Sequence, residues 1–338
     1  MERRPWSPRL LRLTSKLVAR LPYAEALEVL AEVGGVSVSL SSGWRIGQAW
    51  GQHLQTELAR EEAEQKAAAR AWSTPGGRQT QQPRMGVALD GAMMHIRDEG
   101  WKEFKVGSVY QVALQTRIDE RTGDQGEFGH AVQPSYVAYL GGPEVFGWQV
   151  WTEAQRRGWQ RAADTQVLGD GAPWIWNLHQ EHFHTSLATV DWYHATQHLG
   201  EAKLLLYPEG GAAATQWYNR QEQALYLGHA ADIAQGLRKT AALSPDPERA
   251  VALGKAAAYF SNNHDRMQYQ DLRDEGWPIG SGVVESGAKQ FKARVTGPGM
   301  RWSRTGAQNM LVLRAAILSG QKRFDDLWSR AYKNLPPS

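Results

Sequence analysis

The sequence predicts an α/β protein with one mixed sheet, an all-helical insertion, and helical regions at both ends of the chain. Apolar segments, two of them with the alternating pattern of strands, are separated by glycine-rich or charged turns. They predict strands at 87–89, 104–114, 136–140, 165–168 and 186–191. With helical stretches at 144–157 and 174–183, the order β-β-β-α-β-α-β is typical of a mixed sheet flanked by helices, and it sets the first and fourth strands side by side.

Changes in composition divide the chain into five regions. Alanine, leucine and glutamine dominate 195–275 without a convincing strand pattern, so a helical insertion is predicted there. At 284–295 apolar residues fall on one helix face, which predicts a core seam where the sheet domain resumes. The regions are a helical N-terminal region at 1–75, the first part of the core at 83–199, the insertion at 200–275, the last helix of the core at 276–296, and a C-terminal helical region at 297–338.

The N-terminal region leaves two interpretations open. A helical pattern runs through 9–72, with a Gly34–Gly35 turn before a short helix near 41–50, and such a pair is typical of a DNA-binding helix-turn-helix. The alternative is a helical hairpin that only packs on the next domain. An exposed helix is predicted at 57–72 and a linker at 73–83, where Gly, Pro, Gln and Arg dominate.

Composition excludes several classes of protein. The 338 residues, 42% of them hydrophobic, suffice for a sizeable core, and no apolar stretch reaches the length that crosses a membrane. Without cysteine, the chain has no disulfide, cysteine-based zinc site or cysteine nucleophile. The net charge of +3 permits nucleic acid binding but is weak evidence alone. The charged N-terminus lacks a following apolar segment, so we expect no signal peptide and a cytoplasmic protein.

Two segments end an apolar run with the same three residues, Asp-Gly-Ala. Asp90 follows Val87–Leu89, and Asp170 follows Val167–Gly169. Taken singly, each is typical of an Asp-Gly turn that needs no metal. At the ends of two strands that lie side by side, they predict a pair of carboxylates at one edge of the sheet.

A third carboxylate, Glu285, lies at the start of the helix that follows Gly280–Gly282. If Gly282 is the N-cap, Glu285 is the third residue of the helix, and its carboxylate would only accept a hydrogen bond from the backbone at the helix start. It also borders the apolar seam, with Lys289 and Lys292 one and two turns on, which favours a metal ligand next to phosphates. Three acids from separate elements are what two Mg²⁺ ions require for phosphoryl transfer, with Mn²⁺ as a possible substitute.

Five short segments, three of which contain these acids, form recognisable motifs. They are Val87–Ala92, Leu168–Trp176, Asp191–His194, Gly280–Glu285 and Gly299–Ser303. On these motifs the chain resembles the DDE transposases of bacterial insertion sequences, in particular the Kra-type group, over about residues 83–320. The resemblance implies a ribonuclease H-like core in which Asp90, Asp170 and Glu285 hold divalent metal for DNA cleavage and strand transfer.

The resemblance also implies the partners. These are double-stranded DNA of the element's ends and of the target, and further copies of the chain, since two DNA ends must be joined in a dimer or larger complex. A nucleoid-associated location follows. Relatives of this type often carry cysteine-based zinc binding in a longer N-terminal region, and this chain has no cysteine. End recognition is therefore expected to use the helices of 9–72 or to have been lost by truncation.

Asp191 and His194 are similar to an Asp-x-x-His motif of Mutator-like transposases. A histidine on the first helical turn after the fifth strand is expected to contact DNA near the scissile phosphate or to steady a ligand, with Asp191 orienting the ring. The alternative is that Asp191 caps the helix and His194 packs in the interior. His182 and His184 have no fitting partner and are expected at the surface.

Basic residues near the C-terminus predict a surface that follows the DNA backbone, because they alternate with glycine and one aromatic residue. They are Lys289, Lys292, Arg294, Arg301 and Arg304, with Trp302 as the aromatic anchor. The predicted function is that of a transposase. Two alternatives stay open, namely another nuclease on the same core and a truncated, catalytically silent transposase-derived protein that binds DNA. The long insertion argues against the first, and the intact set of three acids against the second.

Overall fold

The computed structural model describes residues 6–71, 83–118, 123 and 125–335, and within them the protein is α/β with a five-stranded mixed sheet. The strands are β1 (Arg84–Ile96), β2 (Gly100–Ile118), β3 (Gln125–Tyr139), β4 (Thr165–Gly169) and β5 (Leu187–Val190). Their order is β3-β2-β1-β4-β5; β2 is antiparallel to both of its neighbours, and β4 is parallel to β1 and to β5. The prediction that the first and fourth strands are neighbours is confirmed.

Helices occupy the regions that the sequence predicts to be helical. They are α1 (Pro8–Val18), α2 (Tyr23–Gly34), α3 (Leu40–Ala71), α4 (Pro143–Arg156), α5 (Pro173–His182), α6 (Trp192–Leu206), α7 (Ala212–Tyr226), α8 (Ala230–Ala242), α9 (Pro247–Asn263), α10 (Tyr269–Asp274), α11 (Gly282–Val295), α12 (Arg304–Leu318) and α13 (Gln321–Lys333). Among these described helices none is long and apolar enough to span a bilayer. The predicted linker at 73–83 lies outside the described residues except for its last position.

The register brings one position on each of β1, β4 and β5 level. Leu89 of β1 lies opposite Gly169, the last residue of β4, and Gly169 lies opposite Val190, the last residue of β5. The residue that follows is an aspartate in all three cases. Three carboxylates therefore arrive at the same edge of the sheet.

The first strand is longer than the sequence predicts. β1 does not end before Asp90 but continues through Gly91 to Ile96. The reason is β2, which stays paired with β1 over this stretch, with Asp90 opposite Val106. Because β4 stops at Gly169, Asp90 is paired on one side only.

Helices cover both faces of the sheet. α4 and α5 pack on the face that carries Val87 and Leu89. α11 and α12 pack on the face that carries Ala88 and Ala92. Since side chains alternate along a strand, Asp90 belongs to the second face, against which α11 lies. The predicted core seam of α11 is confirmed, because its apolar residues are buried there.

The N-terminal region corrects one prediction. The short helix predicted at 41–50 and the exposed helix predicted at 57–72 form one continuous helix, Leu40–Ala71. This helix approaches α12 closely, since a Cβ at Gly51 would lie 2.4 Å from the carbonyl oxygen of Asn309. The N-terminal helices therefore pack on the C-terminal ones, and DNA binding by them stays a prediction.

The insertion is helical, as predicted. From the start of α6 to the end of α10 the described residues form no strand. They have a core of their own, which includes Leu199, Leu225, Leu237 and Phe260. The insertion continues from α6, whose first turn follows β5 and carries His194. One helix therefore connects the insertion to the end of β5.

Candidate metal centre

Three side chains converge at the sheet edge where β1, β4 and β5 meet. Asp90, Asp170 and His194 each offer one ligand atom, and the three atoms lie within 4.8 Å of one another. Asp90 comes from β1, Asp170 from the turn after β4, and His194 from the first turn of α6. The structure thus brings together two of the three acids singled out in the sequence, together with the histidine. We call this group the Asp-Asp-His cluster.

Asp90 is held by its own strand. The backbone N–H of Gly91 donates to Asp90 Oδ1 at 2.7 Å. Burial raises the pKa of Asp90 above its ordinary value, and the neighbouring charges of Asp170 and Asp191 add to this shift. The carboxylate is therefore costly to ionise until a cation compensates it.

Asp170 is held by a turn that the insertion supports. The backbone N–H of Ala172 donates to Asp170 Oδ1 at 2.8 Å, and Gly171 adopts a left-handed conformation with φ of 100°. The hydroxyl of Tyr259, on α9, donates to the carbonyl oxygen of Asp170 at 3.0 Å. A Cβ at Gly171 would lie 2.8 Å from the Tyr259 ring, so this glycine is needed for both conformation and space. Sequence reasoning missed Tyr259, and no local pattern marks it.

Asp191 links the histidine to the start of α11. It is fully buried and caps α6, and its Oδ1 accepts hydrogen bonds from the backbone N–H of His194 at 2.9 Å and from Nδ1 at 3.1 Å. Its Oδ2 accepts from the backbone N–H of Ser281, immediately before α11. Burial alone would raise the pKa of Asp191, but these hydrogen bonds lower it below its ordinary value. The hydrogen bond with Asp191 in turn raises the pKa of His194.

The structural alternative for Asp191 and His194 holds only in part. Asp191 does cap the helix, but His194 does not pack in the interior, since a third of its side chain is exposed. With Nδ1 bonded to Asp191, Nε2 is the ring nitrogen left for a ligand.

The donor set fits a divalent cation. Carboxylate oxygens are the ligands that Mg²⁺ and Mn²⁺ prefer, and imidazole nitrogen is common at transition metals. One oxygen of each aspartate accepts a backbone N–H, and the described residues donate no hydrogen bond to the other. These oxygens remain for a metal, and a cation would offset the mutual repulsion of the acids.

Glu285 lies apart from the cluster. Its Oε1 is 2.8 Å from Lys289 Nζ, and both side chains are substantially exposed, at 42% and 73%. The capping interpretation, which needs Gly282 as the N-cap, is wrong, because Ser281 is the N-cap of α11. The link between Asp191 and Ser281 nevertheless ties the start of this helix to the cluster.

Two predictions about the basic surface are wrong. Arg294 is only 2% exposed, and its Nε donates to the carbonyl oxygen of Val18 at 2.7 Å. Trp302 is 7% exposed, and its Nε1 donates to Val295 at 2.9 Å. Arg294 is part of the interface between the N-terminal helices and the core, and Trp302 packs beside it within the core. Neither is available to a DNA backbone in this structure.

The remaining basic residues lie at the surface. Lys292 and Arg301 are exposed, Lys289 pairs with Glu285, and Arg304 pairs with Glu99. They are the part of the predicted surface that can still reach phosphates.

The other histidines differ from expectation in one respect. His182 was expected at the surface, but its side chain is only 2% exposed and its ring lies 4.7 Å from that of Trp148, so that prediction is wrong. His184 is exposed, as expected. The ring of His198 lies 3.8 Å from that of Tyr259, tilted against it, so His198 lies beside the residue that holds the Asp170 turn.

No protein-family model matches the chain, and no curated protein matches it.

Proposed function

We propose that this protein is a metal-dependent transposase that cleaves DNA and transfers strands on a ribonuclease H-like core. The observation that carries the proposal is the Asp-Asp-His cluster, in which Asp90 and Asp170 come from adjacent parallel strands. The sheet order, with helices on both faces, supports the ribonuclease H-like core that the resemblance implies. The insertion and the exposed basic residues are what a protein that handles long DNA would add to such a core.

Asp90 and Asp170 are proposed to hold Mg²⁺, with Mn²⁺ as a substitute. When bound, a pair of such ions stabilises the attacking and leaving oxygens of an in-line phosphoryl transfer. The chain's own contribution is to fix the carboxylates in place. Backbone N–H groups of Gly91 and Ala172 orient one oxygen of each, and the hydroxyl of Tyr259 holds the turn of Asp170.

Glu285 is proposed to join the two aspartates when DNA is bound. Its partner Lys289 is largely exposed, and an exposed ion pair contributes only up to about 1 kcal/mol. A DNA phosphate that takes up Lys289 would therefore release the Glu285 carboxylate at little cost. The present pairing of Glu285 also favours one alternative, the catalytically silent DNA-binding protein, since that protein has no need of a third acid in place.

His194 is proposed to contact a phosphate oxygen near the scissile bond through Nε2, or to steady the metal there. Asp191 fixes the ring through Nδ1. We expect His194→Ala to lower single-turnover cleavage by about 100-fold, the lower range for a positioned acid or base. The melting temperature should fall only modestly, because Asp191 loses the imidazole but keeps the backbone N–H groups of His194 and Ser281.

The exposed His184 provides the matched control for that substitution, and His184→Ala should change neither quantity. A His194→Ala protein that melts at a lower temperature yet cleaves at the normal rate per folded molecule would show a structural role instead.

The DNA surface is proposed to include Lys292 and Arg301, which are exposed near α11 and α12. Each phosphate contact that is lost should reduce the slope of log affinity against log salt by about 0.9. We therefore expect a lower slope for the Lys292→Ala, Arg301→Ala double variant, measured by fluorescence anisotropy at several salt concentrations. Lys239→Ala, an exposed lysine of the insertion, is the control. An unchanged slope in the double variant would place DNA elsewhere.

The partners proposed are double-stranded DNA of the element's ends and of the target, within a dimer or larger complex near the nucleoid. These rest on the resemblance in sequence. The direct test is incubation of the wild-type protein with labelled DNA of its own element's ends, with Mg²⁺ or with EDTA. Metal-dependent cleavage followed by joining to a target supports a transposase, and cleavage without joining supports another nuclease. DNA binding without cleavage would overturn the enzymatic proposal in favour of the silent DNA-binding protein.

A further inference from the structure

A groove lies next to the first turn of α6, which carries His194. It is a groove of about 850 Å³ between the β2–β3 hairpin, the start of α6, the end of α7 and the segment that leads into α11. We call it the hairpin groove. Among its lining residues, the argument depends on Arg117, Phe128, His130, Tyr193, Tyr226 and Arg273.

Residues that line the hairpin groove neighbour residues of the candidate metal centre in the chain. Tyr193 lines the groove and stands between Asp191 and His194 in the chain. On the other wall, Gly280 and Gly282 line the groove and flank Ser281, whose N–H donates to Asp191. The groove therefore lies next to the helix turn that carries His194 and next to the segment that holds Asp191.

Aromatic rings and guanidinium groups dominate the chemistry of the groove. The Tyr193 side chain is well exposed, at 61%, and a Cβ on Gly280 would lie 3.0 Å from its ring, so glycine leaves room for the ring. The Arg117 guanidinium lies 4.5 Å from the centroid of Phe128. The guanidinium of Arg273 lies 3.8 Å from the Tyr226 ring. Planar groups of both kinds are surfaces on which unstacked bases pack.

Charge and size restrict the occupant. The lining residues include one acid, Glu222, and two arginines, Arg117 and Arg273. Their formal charges sum to a positive value, so the groove favours an anion. His130 also lines it, with Nδ1 buried and without a hydrogen-bond partner in the described structure. A site of this volume holds a ligand of one or two nucleotides. A duplex is too large to enter.

We propose that the hairpin groove binds unpaired DNA, namely one or two unstacked nucleotides next to the scissile phosphate. A base packs on Tyr193, and the phosphates lie near Arg117. The proposal deepens the proposed function and rests on it, because the cluster must act on DNA for the occupant to be the strand being processed.

The test compares two DNA probes on the full chain in EDTA, where binding is measured without cleavage. One probe is a blunt duplex, and the other is the same duplex with a short 3′ overhang that carries 2-aminopurine. We expect the wild type to bind the overhang probe more tightly and to quench the 2-aminopurine emission. Tyr193→Ala should lose the preference by about fivefold or more, the loss typical of one stacking contact, while its affinity for the blunt duplex is unchanged.

Two variants make the test specific. Tyr193→Phe keeps the ring and should keep the preference. Trp101→Ala removes an aromatic side chain of matched exposure, 62%, on the β1–β2 hairpin outside the groove, and should keep it too. Arg117→Gln is a second groove variant, and it should weaken binding of the overhang probe only.

The outcomes separate this proposal from the proposed function. A wild type that cleaves DNA with Mg²⁺ but binds both probes equally overturns the groove proposal alone. A preference that depends on Tyr193, in a protein that cleaves no DNA, supports the groove and overturns the transposase. A preference that survives both Tyr193→Ala and Arg117→Gln places the unpaired strand elsewhere and overturns the groove proposal.

Discussion

Replacing Asp90 or Asp170 by asparagine is expected to reduce Mg²⁺-dependent cleavage by about 1,000-fold or more, at the upper end of what a single positioned catalytic group contributes. Each carboxylate is half of the acidic pair in the Asp-Asp-His cluster, and an amide oxygen is a weaker ligand that carries no charge. DNA binding in EDTA should be retained, because the exposed basic residues are unchanged. The measurements are single-turnover cleavage and binding anisotropy on the same preparations.

The fold of the asparagine variants provides an internal control. Because burial raises the pKa of Asp90, its charged form is disfavoured in the folded protein, and this cost grows as pH rises through the folded pKa. Asp90→Asn removes the charge, so without metal its melting temperature near neutral pH should equal or exceed that of the wild type. Asp232→Asn, at a side chain 78% exposed in the insertion, should alter neither activity nor stability. Normal cleavage by Asp170→Asn would show that the cluster is not the catalytic centre.

The meeting of Asp90 and Asp170 could be predicted because it depends on strand order, which hydrophobic patterns reveal. Where β1 ends could not, since Asp-Gly is typical of turns, while cross-strand pairing with β2 carries the strand to Ile96. The link from Asp191 to Ser281 joins residues that the whole insertion separates in the chain, and no local signal encodes it.

The burial of Arg294 shows the same limit. A basic residue among other basic residues indicates a solvated or DNA-binding face. The deciding group is the carbonyl oxygen of Val18, at the other end of the chain, which accepts from the guanidinium in the interior. Only the packing of α1 on the core reveals that this arginine has a structural partner.

Arg323 is expected to be the charged residue whose loss most destabilises the fold. It lies on α13 and makes two parallel hydrogen bonds to Glu61 of α3, at 2.7 and 2.6 Å, and its Nη2 lies 3.0 Å from Glu153 of α4. All three side chains are at most 8% exposed. Arg323→Met would leave two buried carboxylates without this cation, and breaking such a network typically costs about 3–5 kcal/mol of unfolding free energy.

The pH dependence identifies the cause of that loss. Although burial opposes it, Arg323 helps to hold the pKa values of Glu61 and Glu153 below their ordinary value of 4.5. A carboxylate whose pKa is lower in the folded than in the unfolded protein stabilises the fold at pH values above its unfolded pKa. This stabilisation is lost as the pH falls through the pKa of the folded protein. The difference in unfolding free energy between wild type and Arg323→Met, measured by urea denaturation, should therefore be largest near neutral pH and narrow below about pH 4.5.

Arg330 offers the matched control for this prediction. It also contacts Glu61, but its side chain is 41% exposed, so Arg330→Met should cost less than about 1 kcal/mol at any pH. If Arg323→Met costs no more than Arg330→Met, water reaches the network well enough to replace the cation. A cavity of about 360 Å³ lined by Glu61, Glu153 and Arg323 is the route by which it would do so. A deficit of equal size at neutral and acidic pH would instead mean that the aliphatic packing of the arginine, and not its charge, stabilises the junction of α3, α4 and α13.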